Sequence, residues 1–558
     1  MKAKGSFDII SDLIKTEVNM NELNEGPNSL KNHIVVIDKD RNILNVIDKV
    51  CDHAGGKLIL KNDYAVCPMH GWKLNINTLK YQDSHIKKAN VNYLLEDNKL
   101  ILEDKKSYLI NPFKKIVNES EVKLRYLNHA TVEVNYKGIS LITDPWLFGP
   151  AFMTGWWLDQ PSTEDSLAIL QNANYIYISH NHPDHLHPET LNLLDKNVKI
   201  IVGDFKTKST EKFLISLGFT NVSAMEFNLI NEIEEDFQFS IFKSGDFRDD
   251  SGLYLCLGGT EILFAVDSNF LNSYVLPKNI DLLLTSFAGG ASGFPLCFED
   301  YDLSEKLKIV SRNKISIRSS VLGYLNATSP KNYMPYAGMF KEKAERDTFI
   351  RENNIKNAPI DYINLVNDLG VNFLHPRKDI MYSFKNGNIN TIDIDVSYLK
   401  EDDTNVYIED YKKRFIYDSN KILKYISDSG FKGKQIIYII PTNDNFSKIV
   451  NDIIFCDFEN QIFKVVSESE IINEVPDFRT MRLYVREEVF AAIVENRLPW
   501  EDFSIGFQMK VFRVPNTYES EFWYHFTNVY INSIHYKFDS NCGACTAMNQ
   551  NTLFNKLK

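Results

Sequence analysis

Two groups of residues in this 558-residue chain are of the types, and at the spacings, that hold metals. The first is Cys51 and His53 in "CDHAGG", followed by Cys67 and His70 in "CPMHGW". Each Cys-His pair sits in a short loop at the end of a β-type segment, "NILNVIDKV" before the first and "YAV" before the second. Two such loops can clamp a [2Fe–2S] cluster. Two thiolates take one iron and two imidazoles the other, which raises the reduction potential above that of an all-Cys cluster. Gly55, Gly56 and Gly71 let the backbone approach the sulfides. A Cys₂His₂ zinc site is the competing reading. Zinc sites usually pair Cys with Cys two to four residues apart, so the mixed pairs and the glycines favour the cluster.

The second group lies in "NYIYISHNHPDHLHPETLNLL", which reads as a buried strand, a His-rich loop and a helix starting near Pro188. In an extended segment His180 and His182 point to one side, and Asp184 and His185 turn back toward the same spot. His187 reads as a surface residue, and a solvated polar loop is the alternative for the whole segment. The His-x-His-x-Asp-His spacing resembles the metal motif of the metallo-β-lactamase fold. "RYLNHATVEV" resembles the opening strand of the lactonase-like branch of that fold, which implies that His129 lies close to the metal. "LITDPWL" and "ILFAVDSN" read as strands that each deliver an Asp at their C-terminal end, Asp144 and Asp267. Asp267 falls where the fold places its metal-binding Asp.

A two-metal hydrolase of that fold needs two more His downstream, and the chain has none between His187 and His375. "KSGDFRDDSG" and "YMPYAGMF", which occupy the corresponding regions, supply no imidazole. What remains is His180, His182 and Asp267, the ligand set of a facial triad that leaves positions open for O₂ on a mononuclear non-haem Fe(II). Asp184 with His185 is a competing pair, and His129 is a candidate either for the metal or for a place just behind it.

"CPMHGWKL" and "CDHAGG" together resemble the signature of Rieske-type oxygenases. A cluster that passes single electrons and an iron site that activates O₂ belong together as an oxygenase. Electrons would run from NAD(P)H through a reductase to the cluster and then to the catalytic iron. "TDPWLFGPAFMTGWWL" (143–158), "ISHNHPDHL" (178–186), "SFAGGASGFP" (286–295) and "IGFQMKVFR" (505–513) resemble the CMP-N-acetylneuraminate hydroxylase family, with the resemblance running from about residue 23 to about residue 526. It implies a Rieske domain joined to a metallo-β-lactamase-like domain. It also implies hydroxylation of the N-acetyl methyl of CMP-N-acetylneuraminate, or of a related sugar nucleotide, to the N-glycolyl form. The family's electron donor resembles the acidic cytochrome b5. The chain carries a net charge of −12, so that pairing lacks charge complementarity. A ferredoxin or a flavin reductase is expected instead of, or beside, a cytochrome b5-like donor. The competing functions are a Rieske oxygenase acting on an unrelated small substrate, a hydrolase with a redox-sensing Rieske domain, and an electron-transfer protein without a working second site.

Weaker signals surround these groups. Gly289 and Gly290 in the Gly-rich "SFAGGASGFP" could wrap a phosphate or ribose with backbone N–H groups, or form a tight loop beside the metal. Trp146, Trp156 and Trp157 could stack a pyrimidine or fill a core. Arg377 could clamp an anion or form a surface ion pair. Cys542 and Cys545 form a Cys-x-x-Cys near the C-terminus, read as a non-catalytic tail feature.

The elements that must position these residues divide into a multidomain α+β chain. The expected parts are an N-terminal segment over 1–27, a Rieske β-sandwich over 28–112, a metallo-β-lactamase-like αββα sandwich over 120–398, and a C-terminal α/β extension over 399–558. In the last, "MRLYVREEVFAAIVENRLPWEDFSIGFQMKVFRVP" reads as strand, amphipathic helix, strand, a packing domain that closes over the substrate or mediates assembly. Hydrophobic residues make up 44% and charged residues 24% of the chain, an ordinary globular balance. The acidic balance argues against nucleic-acid binding. No signal-peptide h-region opens the sequence, and no run of about 18 apolar residues predicts a membrane span. Seven Cys are few and odd in number, which suits a reducing cytoplasm.

Overall fold

Strands that are apolar at every position must be covered on both faces, and the centre of this protein is built from such strands. The computed structural model describes residues 1–52, 56–67, 72–82, 87–117, 120–245, 248–516, 519, 522–523 and 525–527. All four residues of Tyr175–Ile178 and of Leu282–Thr285 are buried. They lie in two eight-stranded sheets. One runs in the order Val222–Met225, Lys199–Gly203, Tyr175–Ile178, Ile139–Thr143, Thr131–Tyr136, Val122–Asn128, Ile380–Lys385, Asn388–Asp393. The other runs Lys2–Ser6, Leu229–Glu234, Phe237–Lys243, Ser251–Leu257, Thr260–Phe264, Leu282–Thr285, Asn332–Pro335, Asn372–Phe373.

The sheets face each other across a core that includes Val132, Tyr177, Phe239, Leu255 and Phe264. Helix Leu303–Thr328 covers the outer face of the second sheet through Val321, Tyr324 and Leu325. Its start is fixed by a reciprocal cap in which Asp302 and Glu305 each accept the other's backbone N–H. Helices Ser166–Gln171 and Ser209–Ser216 cover the first sheet through Leu170 and Leu214. The result is the expected αββα sandwich. Within it, Ile139–Thr143, Tyr175–Ile178 and Lys199–Gly203 are parallel, as are Thr260–Phe264, Leu282–Thr285 and Asn332–Pro335. Their carboxyl ends form one edge, the place where open α/β sheets bind ligands.

The N-terminal segment is not a separate piece. Lys2–Ser6 pairs antiparallel with Leu229–Glu234 and becomes the edge of the second central sheet. Asp8–Asn19 then pairs along its whole length with Lys99–Ile110, so the small N-terminal domain is clasped by strands from both its ends. Inside the clasp lie two three-stranded sheets, Gly26–Ser29/His33–Ile37/Ile43–Asp48 and Ile59–Lys61/Tyr64–Val66/Lys73–Asn75.

The C-terminal domain is a five-stranded sheet in the order Ile462–Val466, Ile453–Asp457, Gln435–Thr442, Arg479–Arg486, Met509–Val514, with helices Thr404–Arg414, Ser419–Asp428 and Glu487–Asn496 packed on it. The predicted strand–helix–strand over 481–515 is present. The domain shares one apolar core with the central domain: Trp146, Phe152, Trp156 and Phe340 pack in the same cluster as Phe490, Trp500, Phe503 and Ile505. A buried ion network crosses the same boundary. Arg346 donates to Asp444 and Glu488, each at 2.7 Å, and to Thr154 Oγ1, and Arg486 pairs with Asp347 at 2.8 Å. Removing one partner of a buried pair strands the other charge and costs about 3–5 kcal/mol. Arg346→Ala is therefore expected to lower the urea midpoint of the first unfolding transition by a margin far beyond that of a surface substitution. An unchanged midpoint would show that the two domains do not depend on each other. No helix among the described residues is long and apolar enough to cross a membrane.

Candidate metal centres

The first site is described in part. Cys51 and Cys67 are buried and belong to one small core with Leu58, Ala65, Leu74 and Tyr81. The two loops close in the same way: Cys51 N–H donates to Gly56 O at 2.7 Å and Cys67 N–H to Trp72 O at 2.8 Å. Each Cys thus bonds to the carbonyl five residues on, an equivalence that suits a pair of clamps on one cluster. Tyr81 receives Asp52 N–H at 3.1 Å and packs edge-on against Trp72, tying the loops together. His53, His70, Gly55 and Gly71 lie outside the described residues, as do Cys542 and Cys545.

The second site lies where the carboxyl ends of the parallel strands meet. The first sheet supplies Asp144, just past Ile139–Thr143, and the loop from Ser179 to His185, just past Tyr175–Ile178. The second sheet supplies Asp267, three residues past Thr260–Phe264. His129 follows Val122–Asn128 directly. His129, Asp144 and Val266 all have positive φ, at 41°, 37° and 51°. For the β-branched Val266 this is a rare conformation, held by its burial just before Asp267.

Asp144 organises the loop. Its carboxylate accepts Ser179 N–H at 2.7 Å, Ser179 O–H at 2.8 Å and His185 Nδ1–H at 3.0 Å. Since Ser179 donates to Asp144, its oxygen accepts from His180 Nδ1 at 2.8 Å. The back nitrogens of His180 and His185 are thereby used, and their Nε2 atoms face inward. His180 Nε2 lies 2.9 Å from His182 Nδ1, while His182 Nε2–H donates to Glu501 Oε1 at 2.8 Å. His185 Nε2 lies 3.4 Å from Asp184 Oδ2 and 3.5 Å from Asp267 Oδ2, within charge attraction but long for a hydrogen bond. His129 Nε2 is 3.2 Å from Asp184 Oδ2.

This network presents lone pairs to lone pairs, which is stable only with a proton or a cation between them. His129 Nδ1, Asp184 Oδ1, His185 Nε2 and Asp267 Oδ1 are buried without hydrogen-bond partners among the described residues. An unpaired buried polar group costs about 1–3 kcal/mol, so several in one place mark a site that a cation completes. Among the described residues, two sets of ligating atoms, His180/His185/Asp267 and His129/Asp184/His185, each lie within 4.8 Å of one another. The residues fit a metal.

The charge states agree with that fit. Burial, together with the neighbouring His185 and His182, holds His180 well below the usual imidazole range, so it is neutral and able to ligate. Burial also opposes protonation of His185, but Asp184 and Asp267 outweigh it and raise this imidazole. A cation on Nε2 would take the proton's place. Burial lowers His182, yet the hydrogen bond and charge of Glu501 prevail and raise it to about 9.

The structure thus brings together His129, His180, His182, Asp184, His185 and Asp267, all expected from the sequence. The grouping differs from the expected triad: His185 joins His180 and Asp267, while His182 stands beside His180 with its far nitrogen on Glu501. Other expectations are corrected. His187 is buried, not at the surface; its ring accepts Thr190 N–H at 3.2 Å and starts helix Pro188–Leu191, and burial lowers it to about 4. Trp146 is fully buried, with its N–H donated to Gly149 O and its edge against His129. It cannot stack a substrate base. Trp156 and Trp157 are core residues too. Arg377 is exposed and forked onto its neighbour Asp379 at 3.0 and 2.6 Å, so the surface ion pair describes it. Gly289 adopts a left-handed φ of 78° just before the turn that begins at Gly290, in the loop after Leu282–Thr285 and so on the metal-site edge. Asp144 was legible as an Asp at a strand end, though not as the organiser of the loop. Glu501 had no signal of its own: it is one acidic residue in the first turn of a short helix, where acids are common.

Comparison with known proteins follows the same division. Residues 15–89 match the Rieske [2Fe-2S] domain and residues 123–240 match the beta-lactamase superfamily domain. The chain is 28% identical to the cytidine monophosphate-N-acetylneuraminic acid hydroxylase of Mus musculus over 553 residues, covering 90% of this chain and 93% of that one. It is 28% identical to the hydroxylase of the same name from Xenopus laevis, covering 88% of each. Among solved structures, CmlA, a diiron β-hydroxylase from Streptomyces venezuelae, is 17% identical over 48% of this chain and 54% of its own, with a TM-score of 0.31. The chain joins a Rieske [2Fe–2S] domain to a beta-lactamase-fold domain and is an oxygenase enzyme similar, over nine-tenths of its length, to the CMP-N-acetylneuraminic acid hydroxylases.

Proposed function

We propose that the protein is an iron monooxygenase that hydroxylates the N-acetyl methyl of CMP-N-acetylneuraminate, or of a closely related sugar nucleotide. O₂ is the oxidant, and electrons come from NAD(P)H through a separate donor protein and the [2Fe–2S] cluster. The observation that carries this reading is the buried knot of partnerless ligand atoms on His129, Asp184, His185 and Asp267 in a chain that also has a Rieske domain. Relatives named as hydroxylases of that nucleotide support the substrate.

Cys51, His53, Cys67 and His70 would hold the cluster. His180, His182, His185, Asp184, Asp267 and His129 would hold non-haem iron. Iron held there would supply the O₂ activation that an unactivated methyl C–H bond requires. The chain's own contribution is positional. Asp144 and Ser179 fix which nitrogen of His180 and His185 faces the centre. Trp146 and the interior side of the sandwich keep water from His129 and His185. Asp267 and His182, whose side chains are 30% and 17% exposed, mark the side from which substrate and O₂ enter.

The test is turnover of CMP-N-acetylneuraminate by the anaerobically prepared protein, supplied with a reductase, a ferredoxin and NADPH under ¹⁸O₂. The expected product is heavier by one ¹⁸O atom, located on the acyl group by fragmentation. A product carrying oxygen only from water, or hydrolysis without O₂, sinks the proposal and favours the hydrolase reading.

A further inference from the structure

We propose that Glu501, delivered by the C-terminal domain, is a positioning residue of the second metal centre. It holds the Nε2–H of His182 so that the Nδ1 of that ring is presented beside the Nε2 of His180. This inference rests on reading that cluster as a metal centre. Of the imidazoles in the cluster, His180, His182 and His185 have their far nitrogens fixed by a hydrogen bond, which sets the tautomer and the ring orientation. His180 and His185 find their partners within the first sheet, in Ser179 and Asp144. The far nitrogen of His182 goes instead to Glu501, 319 residues away in sequence.

The fold holds Glu501 in place with more than one contact. Glu501 is the second residue of helix Trp500–Ile505, whose Trp500 and Phe503 are fully buried. The far end of that helix is pressed against the segment after Asp144. A Cβ on Gly155 would lie 2.3 Å from Gly506 O, and a Cβ on Gly506 would lie 2.6 Å from Phe152 O, so only glycines permit this approach. Trp156 Nε1–H donates to Ile505 O at 3.1 Å. Phe152 in turn packs on His182, with ring centres 5.9 Å apart. The helix, the Phe152 segment and the His182 ring are therefore one packed unit.

An ion pair for stability alone is a poor account of this contact. The Glu501 side chain is 46% exposed, and exposed pairs contribute little, about 0–1 kcal/mol. Its effect is on orientation. The second centre is complete only when the C-terminal domain is docked on the central one.

The test uses the full-length chain, with Fe(II) as probe, in wild type, Glu501→Ala, Glu501→Asp, Glu501→Gln and His180→Ala. Fe(II) affinity is read by chelator competition, and the ligand field by the EPR signal of the ferrous–nitric oxide adduct. The Rieske EPR signal and far-UV circular dichroism report folding. Glu501→Ala is expected to weaken Fe(II) binding 10–100-fold, the usual effect of losing a partner behind a metal-bound His. Glu501→Asp or Glu501→Gln should recover part of the loss, with the Rieske signal unchanged throughout. Wild-type affinity and an unaltered nitric oxide signal in Glu501→Ala, beside a loss in His180→Ala, would overturn the role of Glu501 and leave the metal centre standing. Failure of the wild type itself to hold Fe(II) beyond its cluster would overturn the metal reading, and this role with it. Loss of the Rieske signal or of folded structure in Glu501→Ala would make the residue structural and also overturn the proposal.

Discussion

His180→Ala is expected to abolish hydroxylation and to strip Fe(II) from the second centre while leaving the Rieske signal at full intensity. The size of the effect follows from the place of this ring. It is the neutral imidazole of the cluster, held so by burial, and its Nε2 is 2.9 Å from one ligand candidate and grouped with two more. Removing it takes away a ligand, not a partner behind one. The loss of affinity should then exceed the 10–100-fold typical of a change in the surrounding shell. Alanine also leaves the Ser179 oxygen without the N–H that His180 donates to it, but the Ser179 O–H still donates to Asp144, so the loop retains its main tie. Anaerobic iron analysis, with and without nitric oxide, separates the two centres within one sample. Retention of a high-spin ferrous–nitric oxide signal in His180→Ala would mean that the metal lies elsewhere, most simply on the His129/Asp184/His185 group. Unchanged activity would mean that the second site is not catalytic at all.

What could be read from the sequence is what the chain writes locally. His180, His182, Asp184 and His185 fall within six consecutive positions, so one strand-to-loop turn brings them together. Asp144 and Asp267 were legible because each ends an apolar run, and parallel strands end on the same edge. Tertiary contacts are not written that way. His187 carries the same polar signature as its neighbours, yet its ring is consumed in starting a helix and covering Trp146. The choice of His185 over His182 as companion to His180 and Asp267 depends on which ring nitrogen Asp144 and Glu501 engage, and no spacing rule encodes that. Lys2–Ser6 shows no sign in its own residues of its partner Leu229–Glu234. Glu501 and Gly506 acquire meaning only when the C-terminal helix meets Phe152 and Gly155. The fold classes were legible because apolar periodicity is local; the joints between domains were not, because each is made by residues hundreds of positions apart.

Cys67→Ser is expected to remove the Rieske signal entirely and to end donor-driven turnover, with second-centre Fe(II) retained. Thiolate is the ligand an iron–sulfur cluster requires. Serine replaces it with a hydroxyl that does not ionise in the same range, in a pocket where Cys67 is 1% exposed and packed with Leu74 and Tyr81. The loop itself should survive, because the bond that closes it is from the backbone N–H of residue 67 to Trp72 O and does not involve sulfur. The substitution therefore separates electron supply from O₂ chemistry. If the cluster is the only route for electrons, Cys67→Ser protein whose second centre is chemically reduced to Fe(II) should form less than one product per centre with O₂ and then stop, whatever donor protein is added, because a single Fe(II) gives only one of the two electrons that monooxygenation draws from outside. Sustained turnover in the variant would show that electrons reach the second centre directly and would reduce the Rieske domain to a sensor. The contrast with His180→Ala is diagnostic in both directions: one variant keeps its electrons and loses the place to spend them, and the other keeps the place and loses the supply.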